Sequence, residues 1–226
     1  MIQIQSLSKK FGRHEVLKNL NLELASGAVH GIVGENGAGK TTLFNCIAGL
    51  EPYAGTISAA AIPLKDVLGF LQTEPYFFSK ITGREYLQLL CNARGKKLTG
   101  VDQRNIFELP LDEYAATYST GMKKKLALMA VLLQENEYYI LDEPFNGVDI
   151  QSNLMITEII HQLKKMGKTL LISSHIFSTL RDTCDVIYLL QQGQITKKVP
   201  KADFELLEQE MKQVSIGNKI EQLGLK

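Results

Sequence analysis

Residues Gly34 to Thr41, Gly-Glu-Asn-Gly-Ala-Gly-Lys-Thr, set Gly, four residues and then Gly-Lys-Thr in the order of a phosphate-cradling loop. That chemistry needs those residue types. Glycine lets successive backbone N–H groups turn inward without a Cβ clash, and a helix starting just after the loop adds the positive end of its dipole. Gly34, Asn36, Gly37, Ala38 and Gly39 would line the phosphates, with Thr42 at the helix start. Lys40 would reach the β- and γ-phosphates, and the Thr41 hydroxyl would sit on Mg²⁺. Later in the chain, Tyr138-Tyr139-Ile140-Leu141-Asp142-Glu143 is an apolar run that ends in two carboxylates. An aspartate at such a strand end holds Mg²⁺ in phosphate-loop enzymes, a role Asp142 fits, and Glu143 could polarise an attacking water as a general base. Alone, Asp-Glu-Pro merely ends a strand. Following a phosphate loop, it reads as the second half of a nucleotide site.

Strands and helices must bring these residues together. Val29 to Val33 reads as a buried strand leading into the loop, and a helix runs from Gly39 towards Gly49. Before it, Leu20, Leu22 and Leu24 alternate with Asn21 and Glu23 as a half-buried strand does, and Ser26-Gly27 supplies a turn. Short strands are expected near Gly55–Ala59 and Val67–Leu71. From Thr73 to Tyr118 the texture becomes helical, with pieces over Gly83–Ala93 and Val101–Glu108 on either side of the basic stretch Arg94–Gly100. From Ser119 onward, helix and strand alternate: strands at Glu137–Leu141 and Lys168–Ser173, with the helix Ile150–Met166 between them. This implies a parallel sheet with right-handed crossovers. A hairpin-like end, Asp185–Leu190 and Gln194–Val199 about Gln191-Gln192-Gly193, precedes a short helix and a polar tail.

At 226 residues the chain can bury one substantial core, with room for an inserted subdomain. Lys+Arg 25 against Asp+Glu 24 leaves it nearly neutral, so no nucleic-acid-binding face is expected. Cys46, Cys91 and Cys184 lie far apart and read as core residues in a reducing compartment. The start Met1-Ile2-Gln3-Ile4-Gln5 has no signal pattern, and the longest apolar run, Leu126 to Leu133, is far short of the ~20 residues a membrane span needs. The expectation is a cytoplasmic protein that does not itself cross a membrane. His30 reads as structural, His14 and His161 as surface residues, and Lys123-Lys124-Lys125 as a solvated helix face.

Taken in order, the motifs resemble those of ATPase subunits of the ATP-binding cassette (ABC) family, over about Ile2 to Val199. Gln72, in Leu71-Gln72-Thr73, stands where that family has a glutamine touching Mg²⁺ and the lytic water. Tyr118-Ser119-Thr120-Gly121-Met122 stands at the family's signature, with Thr120 for a glycine and Met122 for the usual glutamine. Asn146-Gly147-Val148-Asp149 resembles the loop that crosses the dimer interface. His175 matches a histidine on the γ-phosphate, and Phe11 an aromatic that stacks on adenine.

The resemblance implies an α/β fold: a phosphate-loop NTPase core with a mostly parallel sheet, an N-terminal antiparallel β-subdomain and an inserted small helical subdomain. Residues 1–200 would form the ATPase domain, with the helical part at about 73–134, and 201–226 a short helix and polar tail. It further implies ATP and Mg²⁺ as cofactors and a second copy, or a homologous ATPase subunit, as partner. Each ATP would be held between Lys40 of one subunit and Ser119 and Gly121 of the other. Multi-span permease subunits would complete a transporter at the cytoplasmic face of the membrane. Segments like Tyr118–Lys125 are similar to those of export systems. The alternatives are a soluble ABC ATPase of translation or DNA maintenance, a phosphate-loop kinase, and a non-hydrolysing binding module.

Overall fold

The structure is a computed structural model that describes residues 1–59 and 63–211. In chain order the elements are β1 (Ile2–Phe11), β2 (His14–Leu24), β3 (Val29–Val33), α1 (Lys40–Ile47), β4 (Ala54–Ala59), α2 (Leu64–Val67), β5 (Leu68–Leu71) and α3 (Gly83–Ala93). After them come α4 (Thr120–Leu133), β6 (Tyr138–Asp142), α5 (Ile150–Lys165), β7 (Thr169–Ser173), α6 (Phe177–Thr183), β8 (Val186–Gln191) and β9 (Gln194–Pro200). β1 lies between β2 and β4 in an antiparallel sheet. The larger sheet has the order β5-β6-β7-β3-β8-β9, parallel throughout except for the final β8–β9 hairpin. These are the two sheets and the helical insertion expected of the fold class.

Because successive strand residues point to opposite faces, the central strands divide their apolar residues between two cores. Leu170 and Ile172 of β7, with Tyr139 and Leu141 of β6, face one core. There they meet Leu126 and Leu128 of α4, Ile156 and Ile160 of α5, and Leu87 of α3. Leu171 and Ile140 face the other, with Leu43 and Phe44 of α1 and Ile4, Leu7 and Leu22 of the antiparallel sheet. Each leucine or isoleucine so buried contributes about 1.5–3 kcal/mol. His30 is buried within β3, shares a hydrogen bond with the Ala25 carbonyl, and is held below its ordinary pKa chiefly by burial. It is a structural residue, as its sequence setting suggests. Cys46, Cys91 and Cys184 are buried free thiols.

α3 starts on a capping box in which Thr82 accepts from the Glu85 N–H and Glu85 accepts from the Thr82 N–H. The second helical piece expected in this region does not form: residues 101–108 are a succession of turns. The physical reason lies in Asn105 and Glu108. The Asn105 amide takes both the Leu109 carbonyl and the Leu109 N–H, at 2.8 and 3.0 Å, and Glu108 adopts a left-handed φ of 52°. Residues 201–211 are helical, and the remainder of the short helix and polar tail expected over 201–226 lies outside the described residues.

Candidate functional site

Parallel α/β sheets place binding crevices beyond the carboxyl ends of their strands. Here the loop after β3 and the ends of β6 and β7 are neighbours in the sheet, and they border a cleft of about 580 Å³. Gly34 begins the loop because no side chain fits there: a Cβ would lie 2.3 Å from the Leu190 carbonyl oxygen. Gly39 ends the turn at φ 108°, where an L side chain is strained, and α1 starts at the next residue. Asn36, Gly37, Gly39, Lys40, Thr41 and Thr42 line the cleft. Ala38 is buried, and its N–H closes the turn onto the Glu35 carbonyl at 3.1 Å. The Lys40 ammonium lies across the loop and donates to the carbonyls of Gly34 at 2.7 Å and Glu35 at 3.2 Å.

Asp142 has no solvent exposure. A buried carboxylate needs donors, and Asp142 has three hydroxyls: Thr41 at 2.8 Å and Thr73 at 2.7 Å on Oδ2, and Ser173 at 2.5 Å on Oδ1. Ser173 stands opposite Asp142 in the β6–β7 register, which is why its hydroxyl reaches. That hydroxyl also accepts the Glu143 N–H at 2.9 Å. Glu143 takes a left-handed φ of 51°, a strained choice for a non-glycine residue, and so turns its side chain away from that of Asp142. Its Oε2 meets His175 Nδ1 at 2.8 Å and accepts the His175 N–H at 3.2 Å. The site therefore pairs an oxygen set, Thr41 and Asp142, that suits a hard divalent cation with a separate carboxylate–imidazole pair.

Other expected residues sit elsewhere in the chain's own surface. Ser119 caps α4 by accepting the Met122 N–H at 3.2 Å, and Asp149 caps α5, bonded to Ser152 and to Lys125. Gly121 packs against the loop before α5: a Cβ on it would lie 2.6 Å from the Gly147 carbonyl oxygen. None of Ser119, Gly121 and Asp149 borders the cleft of Lys40. Phe11 also lies outside that cleft wall, 47 % exposed at the end of β1, with the Lys9 ammonium 4.5 Å from its ring centroid. Gln72 borders a second groove of about 360 Å³, beside Pro75, Tyr76, Leu90 and Arg94. Its neighbour Thr73 is the residue that enters the cleft.

Thr73, Ser173 and Lys124 are participants that motif reading does not single out. Lys124 contradicts the expectation of a solvated lysine face. It is 3 % exposed, and its ammonium donates to the carbonyls of Thr73 at 2.6 Å, Gln72 at 3.2 Å and Asp142 at 3.4 Å. Burial lowers its pKa to about 8, against the opposing pull of Asp142, Glu143 and Glu74. The helical period contained the signal: Lys124 shares a face with Ala127, Leu128 and Val131, all buried.

The ABC transporter family profile matches residues 17–146. The bacitracin transport ATP-binding protein BcrA of Enterococcus faecalis is 33% identical over 223 residues, covering 88% of this chain and 69% of that protein. The lantibiotic transport ATP-binding protein SrtF of Streptococcus pyogenes is 30% identical, covering 86% of this chain and 89% of that one. Among solved structures, an ATP-binding subunit of an ABC transporter superposes with a TM-score of 0.81 at 27% identity, covering 93% of both chains. A dimeric ATP-binding cassette in a post-hydrolysis state with ADP and Pi shares the fold, with a TM-score of 0.79 at 20% identity, covering 89% of this chain and 99% of that one.

Proposed function

The chain belongs to the ABC transporter family as an ATP-binding subunit and ATPase, and from that premise we propose that two such subunits close on ATP to drive a separate membrane-spanning exporter. The observation that carries the reading is the convergence of Lys40, Thr41, Asp142, Glu143 and His175 on one cleft at the strand ends. The loop residues Gly34 to Thr42 bind the phosphates, and Lys40 leaves its carbonyl partners for the β- and γ-phosphates. Thr41 and Asp142 are the oxygens we assign to Mg²⁺, which when bound neutralises charge on the transferred phosphoryl group. Glu143 takes the proton of the attacking water, and His175 orients that carboxylate and faces the γ-phosphate.

Ser119, Gly121 and Asp149 act across the interface, on ATP held by the other subunit. Their separation from the cleft of Lys40 supports this reading, and the partner is a second copy or a homologous subunit. Phe11 stacks on the adenine. Gln72, on the same loop as Thr73, would supply a further oxygen to hold the cation, and the groove it borders receives a cytoplasmic segment of a multi-span permease. Among the described residues no helix is long and apolar enough to cross a membrane. Relatives named as transport ATP-binding proteins support a separate chain as the conduit, and we place this one at the membrane's cytoplasmic face. Relatives named for bacitracin and lantibiotic transport support the export direction. We take residues 1–200 as the ATPase domain, the helical part being about 73–134.

The test is Glu143→Gln, which keeps the shape of the side chain and removes the base. With ATP and Mg²⁺ the variant accumulates as a dimer by size exclusion with light scattering, and hydrolysis falls by on the order of 10²–10³-fold. With ADP it stays monomeric. A variant that remains monomeric in ATP, or that still hydrolyses at the wild-type rate, would overturn the assignment.

A further inference from the structure

Lys124 is held in a way that its helix does not require. An ammonium has three N–H donors, and those of Lys124 find three carbonyls on two other segments, Gln72 and Thr73 in the loop leaving β5 and Asp142 at the end of β6. The same loop sends the Thr73 hydroxyl onto the Asp142 carboxylate at 2.7 Å. The loop is therefore gripped from both sides, by α4 through its carbonyls and by β6 through a hydroxyl. Beyond Glu74, Pro75 and Tyr76 border the groove beside Gln72. One turn earlier on α4, at its N-terminus, the turn of Ser119 and Gly121 rests on the loop of Gly147.

We propose that Lys124 is a positioning residue that locks the loop of Gln72 and Thr73 to α4 and to the end of β6, so that the groove and the phosphate cleft move together. A shift of residues 72–76 then reaches Asp142 through the Thr73 hydroxyl, and a shift of α4 moves the loop as one body. The inference rests on the proposed ATPase site, because the contact it positions is Thr73 on Asp142. Removing the ammonium while keeping the bulk of the side chain frees the loop and breaks no hydrogen bond of Lys40, Thr41 or Glu143, although it also removes a positive charge that acts on Asp142 and Glu143. The effect should fall on the rate of hydrolysis and not on the binding of ATP.

The experiment measures steady-state ATP hydrolysis by the purified full chain for wild type, Lys124→Met, Lys124→Gln, Lys124→Arg, Thr73→Val and the double variant Thr73→Val/Lys124→Met. Unfolding temperature is recorded for each. The expected result is a fall in kcat of at least tenfold for Lys124→Met with KM for ATP within threefold of wild type. Lys124→Gln, whose amide still donates but reaches less far, falls between, and Lys124→Arg recovers most of the loss. Thr73→Val acts on the same contact, so the double variant is little slower than the slower single one. The inference is overturned if the lysine variants hydrolyse at the wild-type rate, or if their rates simply follow their unfolding temperatures. It is also overturned if the loss multiplies with that of Thr73→Val. Should Lys124→Met fold poorly, Lys124→Gln and Thr73→Val decide it by the same criteria. A wild-type chain without ATPase activity would instead refute the underlying site, which separates the two failures.

Discussion

Ser173→Ala removes one oxygen from the centre of the site, and the structure gives the size of the loss. The hydroxyl is fully buried, donates to Asp142 Oδ1 at 2.5 Å and accepts the Glu143 N–H at 2.9 Å. A hydrogen bond to a charged group contributes about 1.5–3 kcal/mol, and leaving a buried N–H without a partner costs about 1–3 kcal/mol. Thr41 and Thr73 still serve Asp142, on Oδ2, so we take about 3 kcal/mol in all. For a chain of this size that lowers the unfolding temperature by about 6–12 °C. The same change releases Glu143 from its left-handed backbone, a conformation that costs about 1–3 kcal/mol and persists only where its surroundings enforce it. Once relaxed, the carboxylate leaves the position it shares with His175, and a displacement of about 1 Å costs about 10²-fold in rate. Thermal unfolding by circular dichroism and steady-state ATP hydrolysis read the two effects. Ser174→Ala is the control. Its hydroxyl accepts the Ile176 N–H and the Thr179 hydroxyl outside the cleft, so it loses about 1 kcal/mol as a turn cap does and little rate. A Ser173→Ala protein that melts within 2 °C of wild type and hydrolyses ATP within about twofold of it would refute the reasoning, since neither bond could then carry the magnitude assigned to it.

Gly121→Ala places a methyl 2.6 Å from the Gly147 carbonyl. Overpacking of this kind costs about 1–3 kcal/mol, and it pushes the signature turn away from the loop of Asp149. In a Glu143→Gln background it should abolish the ATP-dependent dimer seen by light scattering while ATP binding persists; an intact dimer refutes it. Asp185 supplies a pH test. Burial alone would raise its pKa, but the Lys164 ammonium and the Val29 N–H outweigh burial and hold it below the ordinary carboxylate value. A depressed carboxylate contributes stability that is present above its unfolded pKa and is lost as pH falls through the folded one. Asp185→Asn should therefore melt below wild type at pH 7, with the gap closing below about pH 4. A gap that is constant between pH 7 and pH 3 rules this out.

How much was legible in the sequence follows from how local each constraint is. The loop Gly34–Thr41 and the strand ending at Asp142 are read from consecutive residues, and both stand as expected in the sheet. Alternation and turn signals likewise placed the antiparallel strands and the β8–β9 hairpin. The turns at 101–108 were misread because the helical texture read there is overruled by the Asn105 side chain, whose grip on Leu109 no periodicity reveals. Lys124 was misread for the opposite reason. Its neighbours Lys123 and Lys125 made it look like part of a charged run, whereas the helix period sets it with Ala127 and Leu128 on the buried face. Ser173 and Thr73 carry no motif of their own. They matter because the order β5-β6-β7 brings the ends of their strands beside Asp142, and that order is a property of the whole sheet.

The same topology explains why the site resists partition into independent residues. Asp142 draws its hydroxyl donors from α1, from the loop after β5 and from β7, while α4 holds its backbone carbonyl through Lys124. A carboxylate with no solvent exposure has no water to replace a donor that moves away. Displacing α1, β7 or the loop after β5 therefore acts on the charge at Asp142 directly, through one hydrogen bond, and displacing α4 acts on the backbone that carries it. Donors to one carboxylate are coupled through the charge they share in a low-dielectric interior, so losing a second donor should not cost the same as losing the first. Substitutions at Thr73, Ser173 and Lys124 are expected to be non-additive with each other and additive with distant ones such as Asp185→Asn. The strand end at Asp142 is thus both the place where an expected cation ligand sits and the point at which the positions of four elements are compared.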